Sequence, residues 1–106
     1  MKTRLLTLSL ILFGTLVMAQ EKPLISTAII AYDKNEIMEA KEYIDKASDV
    51  IANKSASEVD DKQMSKFLYY KGEIYFRISQ TPELAENVPN ALDKAYEGWT
   101  ALVEYE

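Results

Sequence analysis

The chain has 106 residues, with 17 acidic and 12 basic side chains, a formal net charge of −5, and neither cysteine nor histidine. A disulfide framework and a zinc site built from histidine and cysteine are therefore excluded, and the commonest general base is absent. The acidic balance argues against nucleic acid, whose binding depends on neutralising phosphates with lysine and arginine. It argues equally against a basic patch for a membrane surface.

The first 19 residues have the composition of an export signal. Lys2 and Arg4 precede an apolar run from Leu5 to Val17, and small or medium residues lead up to Ala19. We therefore predict a signal peptide over residues 1–19, cleavage after Ala19, and a periplasmic or extracellular location without stable membrane insertion. The alternative is an inner-membrane anchor that stays uncleaved, although this run is shorter than the 20 or so residues of a spanning helix.

The predicted signal peptide carries two of the basic residues and none of the acidic ones. Its removal leaves residues 20–106, a segment of 87 residues with a net charge of −7. This length suffices for one small domain.

Two amphipathic segments in the first half predict a helix pair over about residues 22–53. Apolar side chains recur at spacings of three and four residues, as on one face of a helix. In the first segment they are Leu24, Ile25, Ala28, Ile29 and Tyr32. In the second they are Ile37, Ala40, Tyr43, Ile44, Ala47, Val50 and Ile51. Asp33-Lys34-Asn35 separates the two segments with turn-favouring residues.

The second half predicts another pair over about residues 61–105. A polar loop, Asn53–Asp60, precedes it, and either Ser57 or Asp60 is positioned to cap the next helix. The third helix spans about residues 61–79, and its apolar side chains are Met64, Phe67, Leu68, Tyr75 and Ile78. Gly72 lies within it at a cost of about 1 kcal/mol against alanine. We therefore expect a neighbouring helix that passes too close for a Cβ atom.

A short helix and a long one complete the chain. Thr81-Pro82 predicts a helix start, and Pro89 limits that helix to one or two turns. The last helix begins at about Pro89, with the apolar residues Ala91, Leu92, Ala95, Trp99, Leu102 and Val103. No strand pattern occurs, so the predicted fold class is all-α.

Small and bulky residues alternate in both halves with the spacing of a known family. The motifs are Leu68-x2-Lys71-Gly72-x2-Tyr75, Ala95-x3-Trp99-x2-Leu102 and, in the first half, Ala40-x3-Ile44-x2-Ala47 with Ala28 in the small position. They resemble the tetratricopeptide repeat, in which small residues let antiparallel helices approach and bulky ones fill the gaps. The distance from Ala28 to Gly72 is 44 residues, whereas the family period is about 34.

The resemblance implies antiparallel helix pairs in a right-handed α-solenoid. We expect two repeats, truncated from a longer array, because solenoids usually have about three repeats and a polar cap. A generic four-helix bundle is the alternative fold. The Ala-Gln junction and the segment Phe67-Leu-Tyr-Tyr-Lys-Gly are similar to secreted repeat proteins of Bacteroidetes-type bacteria.

In this family the first helix of each repeat lines a concave groove that holds a partner segment. The resemblance therefore implies a protein-binding groove formed by Ile25, Ile29, Tyr32, Lys66, Tyr69, Glu73, Phe76 and Arg77. Tyrosine and arginine are enriched among residues that dominate binding energy. The competing interpretation is that the aromatic members pack in the core or between repeats.

No pattern in the sequence predicts catalysis, a metal or a cofactor. The acid pairs Glu36/Glu39 and Asp60/Asp61 belong to a solvated helix face and a helix start, rather than to a pocket that separates their pKa values. The segment from Asp33 to Glu36 lacks the glycine and the length of a calcium loop. We expect a protein that is not an enzyme.

The sequence thus predicts an exported, non-catalytic module or scaffold that binds a protein or peptide partner, with self-association through the last helix pair as a further expectation. Trp99, Leu102 and Val103 form the exposed face of that pair in this interpretation. One alternative is an accessory or regulatory domain of a larger envelope protein or enzyme. Another is a helical bundle that binds a small ligand between its helices.

Overall fold

A computed structural model of the chain describes residues 21–55 and 58–105. These residues form five helices and no strand, so the predicted all-α class is confirmed. The helices are α1 (Glu21–Asp33), α2 (Ile37–Ala52), α3 (Asp61–Ser79), α4 (Pro82–Ala85) and α5 (Ala91–Tyr105). None of these five is long and apolar enough to cross a membrane. The predicted signal peptide and the cap candidate Ser57 lie outside the described residues.

The turn between α1 and α2 closes α1 with a regular capping motif. Asn35 adopts a left-handed conformation with φ 65°, which asparagine tolerates better than most residues. The Glu36 N–H donates to the carbonyl of Ala31 at 2.8 Å, and the Asn35 N–H donates to that of Tyr32 at 2.9 Å. This is the Schellman pattern, and it explains why the chain reverses after only three residues.

The other helix starts agree only in part with the predicted caps. Asp60 is the N-cap residue of α3, but its side chain makes no capping hydrogen bond, so the predicted role is wrong. Thr81 precedes α4 and Pro82 occupies its first turn. The Thr81 hydroxyl donates instead to the carbonyl of Arg77 at 2.9 Å. The last helix begins at Ala91, two residues beyond the expected Pro89.

Contacts at the helix ends show that the two pairs are antiparallel. The Lys54 ammonium, just beyond α2, lies 2.5 Å from the Glu21 carboxylate at the start of α1. This hydrogen bond lowers the pKa of Glu21. The Tyr105 hydroxyl at the end of α5 donates to Asp61 at the start of α3. Helix α3 contacts each of the other four helices, so it is the centre of the described structure.

One continuous apolar core joins the helices. Its fully buried large side chains are Ile25, Ile44, Ile74 and Ile78, and small residues on α1, α2 and α5 pack between them: Ala28, Ala40, Ala47 and Ala95. Leu92 and Val103, predicted on the apolar face of α5, are 42% and 76% exposed. They are exposed because α5 packs mainly against α3, and the face of α5 next to this contact is open to solvent.

Two glycines allow α3 and α5 to cross closely. A Cβ atom on Gly98 would lie 2.9 Å from the backbone nitrogen of Gly72 and 2.9 Å from the carbonyl oxygen of Leu68. A Cβ atom on Gly72 would overlap the indole ring of Trp99. The expectation that a neighbouring helix excludes a Cβ at Gly72 is confirmed, and Gly98 is its counterpart on the other helix.

Substitution of each glycine tests this crossing. Gly98→Ala gains about 1 kcal/mol of helix propensity, but the new methyl group meets α3 backbone that cannot rotate away. We expect a net loss of about 1–3 kcal/mol in the free energy of unfolding, as for an overpacked core. Gly72→Ala instead displaces the Trp99 ring. The measurement is urea unfolding followed by circular dichroism.

The stability costs of the two glycine substitutions depend differently on Trp99. In the background Trp99→Ala, Gly72→Ala loses most of its cost because the obstructing ring is gone, whereas Gly98→Ala keeps its cost. A Gly98→Ala protein as stable as the parent would contradict the close crossing.

Candidate functional site

The exposed face of α3 meets the end of α1 in a patch that we call the tyrosine surface. It consists of Tyr32 on α1 and of Tyr69, Tyr70, Glu73 and Arg77 on α3. Tyr69, Glu73 and Arg77 follow one another at four-residue spacing, and Tyr70 lies three residues before Glu73, so all four point to the same side of α3. The antiparallel packing of the pairs brings Tyr32 against this face.

Hydrogen bonds hold the charged members of the tyrosine surface in place. The Tyr32 hydroxyl donates to Glu73 Oε1 at 3.1 Å. Arg77 donates from Nη1 to Asn35 Oδ1 at 3.0 Å and from Nη2 to the Tyr32 hydroxyl at 3.4 Å. Its guanidinium carbon lies 5.2 Å from the centroid of the Tyr32 ring, within the range of a cation–π contact. Arg77 forms no ion pair with any described carboxylate.

The three tyrosine rings stack edge to face. The ring centroids of Tyr32 and Tyr70 are 5.8 Å apart at 75°, and those of Tyr69 and Tyr70 are 5.1 Å apart at 87°. This arrangement is the favoured one for aromatic pairs. Burial raises the pKa of Tyr32, with the Glu73 charge adding to it, and burial also raises the pKa of Tyr70. Both phenols therefore stay neutral at physiological pH.

The structure brings together part of the groove predicted from the sequence. Tyr32, Glu73 and Arg77 contact one another, and Tyr69 reaches Tyr32 through Tyr70. Ile25 is fully buried, so it belongs to the core and not to a groove, which corrects the prediction.

The remaining residues of the predicted groove lie at the margins of the tyrosine surface. Ile29 is partly buried against the core, and Lys66 is exposed on the same face of α3. Phe76 contacts Trp99 of α5 instead of the tyrosines, with ring centroids 5.3 Å apart. The predicted groove omits two residues: Tyr70, a member of the tyrosine surface next to Tyr69 in the chain, and Asn35, which accepts a hydrogen bond from Arg77. The turn composition was the only signal for Asn35.

A shallow depression of about 570 Å³ adjoins the tyrosine surface. It lies between the start of α2 and the end of α3, and Arg77 belongs to both features. Met38 and Leu84 supply its apolar lining, whereas Glu36 and Glu39 supply carboxylates. Both glutamates are exposed, so they form a solvated rim and no enclosed acid pair.

A second, partly buried polar cluster links α3 to α2. The Tyr75 hydroxyl donates to Asp45 Oδ1 at 2.5 Å, and the Lys41 ammonium lies 2.8 Å from Asp45 Oδ2. Burial, followed by the hydrogen bond to Asp45, raises the pKa of Tyr75 well above its ordinary value. Since Tyr75 is only 4% exposed, we interpret this cluster as a structural link.

Metal binding finds no support in the described part of the chain, where no group of three or more acidic side chains is placed to hold an ion. Comparisons with protein-family models, with curated proteins and with solved structures gave no match for this chain.

Tyr75→Phe tests the link between α2 and α3. A phenol with a raised folded-state pKa stays protonated longer in the folded state than in the unfolded state. Its contribution to stability is therefore complete below its ordinary pKa of about 10 and is lost as the pH rises above that value. We expect Tyr75→Phe to cost about 1–2 kcal/mol at neutral pH through the lost hydrogen bond and to flatten the alkaline decline in stability.

Urea unfolding at neutral and at alkaline pH measures both effects, and Tyr96→Phe, at an exposed position, is the matched control. An alkaline decline as steep in Tyr75→Phe as in the parent would contradict the assigned role.

Proposed function

We propose that this chain is an exported, non-catalytic module that binds a protein segment through the tyrosine surface, on a tetratricopeptide-like scaffold of two helix pairs. The scaffold proposal draws support from small residues at the helix contacts. Ala28, Ala40 and Ala95 are all completely buried, and Gly72 and Gly98 meet where α3 crosses α5. These are the contacts that the repeat pattern requires of small side chains.

The observation that carries the binding proposal is the state of Arg77. Its guanidinium is held in a defined position by neutral groups, Asn35 and the Tyr32 phenol, and it has no carboxylate partner among the described residues. An arginine fixed in this way donates to acceptor oxygens of a ligand with little further loss of side-chain entropy.

The tyrosine rings next to Arg77 are also suited to binding a protein segment. Tyrosine offers a large, rigid contact area with a polar tip, at the cost of ordering only two side-chain torsions. Tyr69 is 44% exposed, and its edge-to-face contact with Tyr70 already orients it. The ligand that fits best is a protein segment with an apolar side chain for the rings and a carboxylate or carbonyl group for Arg77.

Selection from a library of displayed random peptides tests the proposal on the purified chain from Gln20 to Glu106. We expect selected peptides to lose about tenfold or more in affinity with Arg77→Ala or Tyr69→Ser, since residues at the centre of an interface each contribute more than 1 kcal/mol. Lys46→Ala, an exposed residue of α2, is the control.

Affinities come from fluorescence anisotropy of labelled peptides. Peptides that bind the Arg77→Ala and Tyr69→Ser proteins as tightly as the parent would contradict binding at this surface, and so would a library that yields no binder.

The export half of the proposal rests on residues 1–19. Their basic start, short apolar run and terminal alanine have the order of a cleavable signal. The expected cut after Ala19 precedes Glu21, the first described residue, so cleavage removes none of the described residues.

Expression of the whole chain in a bacterial host tests export. We expect the product in the periplasmic or culture fraction, with its N-terminus at Gln20 by mass spectrometry, because the signal peptidase accepts alanine before the cut. Ala19→Glu, which blocks the expected cleavage site, is the matched variant and should leave the longer form. A full-length product that remains in the cytoplasm would contradict export.

A further inference from the structure

Helix α3 carries a different charge from the helices around it. It has four basic and two acidic side chains, whereas in each of α1, α2, α4 and α5 the acidic side chains outnumber the basic ones. Among the five described helices, α3 is therefore the one with a positive net charge. Since the chain as a whole is acidic, a positive helix face is a local feature of α3.

Three of the basic side chains on α3 are exposed and have no ion-pair partner among the described carboxylates. They are Lys62, Lys66 and Arg77. The fourth, Lys71, lies on another side of the helix and pairs with Glu97 of α5 at 3.0 Å. Exposed cations without a carboxylate partner favour a ligand that supplies carboxylates of its own.

Carboxylates reduce the positive charge at the Arg77 end of this face more than at the lysine end. Glu73 precedes Arg77 by one helical turn. Asp33 lies close enough to Tyr70 for its charge to add to burial in raising the pKa of that phenol. At the lysine end, Asp61 accepts a hydrogen bond from the end of α5. The positive charge of the face is therefore concentrated at the two lysines.

The two lysines extend the tyrosine surface along α3. Lys62, Lys66, Tyr69 and Arg77 follow one another at spacings of four, three and eight residues, so they lie on one side of the helix. At about 1.5 Å per residue, the lysines are about 6 Å apart along the axis, and Tyr69 lies about 4.5 Å beyond them. Arg77 lies about 12 Å beyond Tyr69, so the whole face is about 22 Å long.

An extended peptide matches these distances. In an extended chain, alternate side chains point the same way and are about 6.6 Å apart, close to the separation of Lys62 and Lys66. An acidic-x-acidic pair therefore places one carboxylate at each lysine. An apolar residue beside the pair reaches Tyr69, and about five residues of extended chain span the distance from Lys66 to Arg77.

We propose that the segment bound at the tyrosine surface is acidic, and that an acidic-x-acidic pair of the bound peptide lies against Lys62 and Lys66. This chemistry depends on the proposed binding of a protein segment at the same surface. A short peptide fits better than a long polyanion, because a polyanion that extends beyond α3 meets helices of net negative charge. For the same reason, the residues of the peptide that pass Glu73 are uncharged or basic.

Peptides selected from the displayed library on the chain from Gln20 to Glu106 are the probes. We expect most of them to contain an acidic-x-acidic pair beside an apolar residue. By fluorescence anisotropy, Lys62→Glu/Lys66→Glu should bind the tightest such peptide about tenfold or more weakly, because like charges then face each other. Lys46→Glu/Lys94→Glu, on α2 and α5, changes the net charge equally and is the control that should bind as the parent does.

An exchange of charges distinguishes a lost contact from a damaged fold. A peptide whose two acidic residues are replaced by lysine should bind the parent at least about tenfold more weakly and should regain affinity for Lys62→Glu/Lys66→Glu. Raising the NaCl concentration from about 20 mM to about 500 mM should weaken the binding of the acidic peptide to the parent.

Four results would overturn the proposal: selected peptides without the acidic pair, unchanged affinity after the lysine reversals, no recovery with the lysine-substituted peptide, or competition by the polyanion heparin as effective as that by the unlabelled acidic peptide. Peptides that lose affinity with Arg77→Ala but not with the lysine reversals would leave binding at the tyrosine surface standing and overturn only its acidic partner. Peptides that lose affinity with neither would overturn both.

Discussion

The close crossing of α3 and α5 is the constraint on which the other features depend. With no side chain on Gly98, the backbone of α5 rests on that of α3 near Gly72. The close approach of the two helices places the Trp99 ring over Gly72 and in contact with Phe76. A larger residue at Gly98 would separate the helices and disrupt the contact between Trp99 and Phe76, since both rings are positioned by this crossing.

Helix α3 presents different sides to different neighbours. Its buried side reaches α2 through Tyr75 and Asp45, and its side nearest α1 carries the tyrosine surface. The side that adjoins α5 carries Phe76, which contacts Trp99. A single long helix in contact with the other four described helices thus carries the exposed aromatic residues Tyr69 and Phe76.

The described helices are joined without disulfides, by small buried residues and by a few charged or hydroxyl links near the surface. Lys54 with Glu21 closes one pair, and Lys71 with Glu97 joins the helices of the other. These links are individually modest because solvent weakens exposed ion pairs. Most of the stability must come from the apolar core, whose largest fully buried side chains are isoleucines on α1, α2 and α3.

Periodicity along the chain was enough to predict four long helices, because spacing of apolar residues follows directly from helix geometry. It also led to Gly72, since a glycine in a helix interior needs a packing reason. The local pattern could not decide which side of each helix is buried and which is exposed. Ile25 is predicted for a groove and is buried, whereas Leu92 is predicted in the apolar stripe of the last helix and is 42% exposed.

The sequence by itself determined the helical class, the turn at Asn35 and several of the residues that meet on the tyrosine surface. Only the tertiary structure decided that Arg77 rests on Tyr32 and Asn35, residues more than 40 positions away in the chain. It also decided that Gly98 is the partner of Gly72. The physical reason is that helix formation is governed by residues a few positions apart, whereas the pairing of helix faces depends on packing between segments distant in the chain.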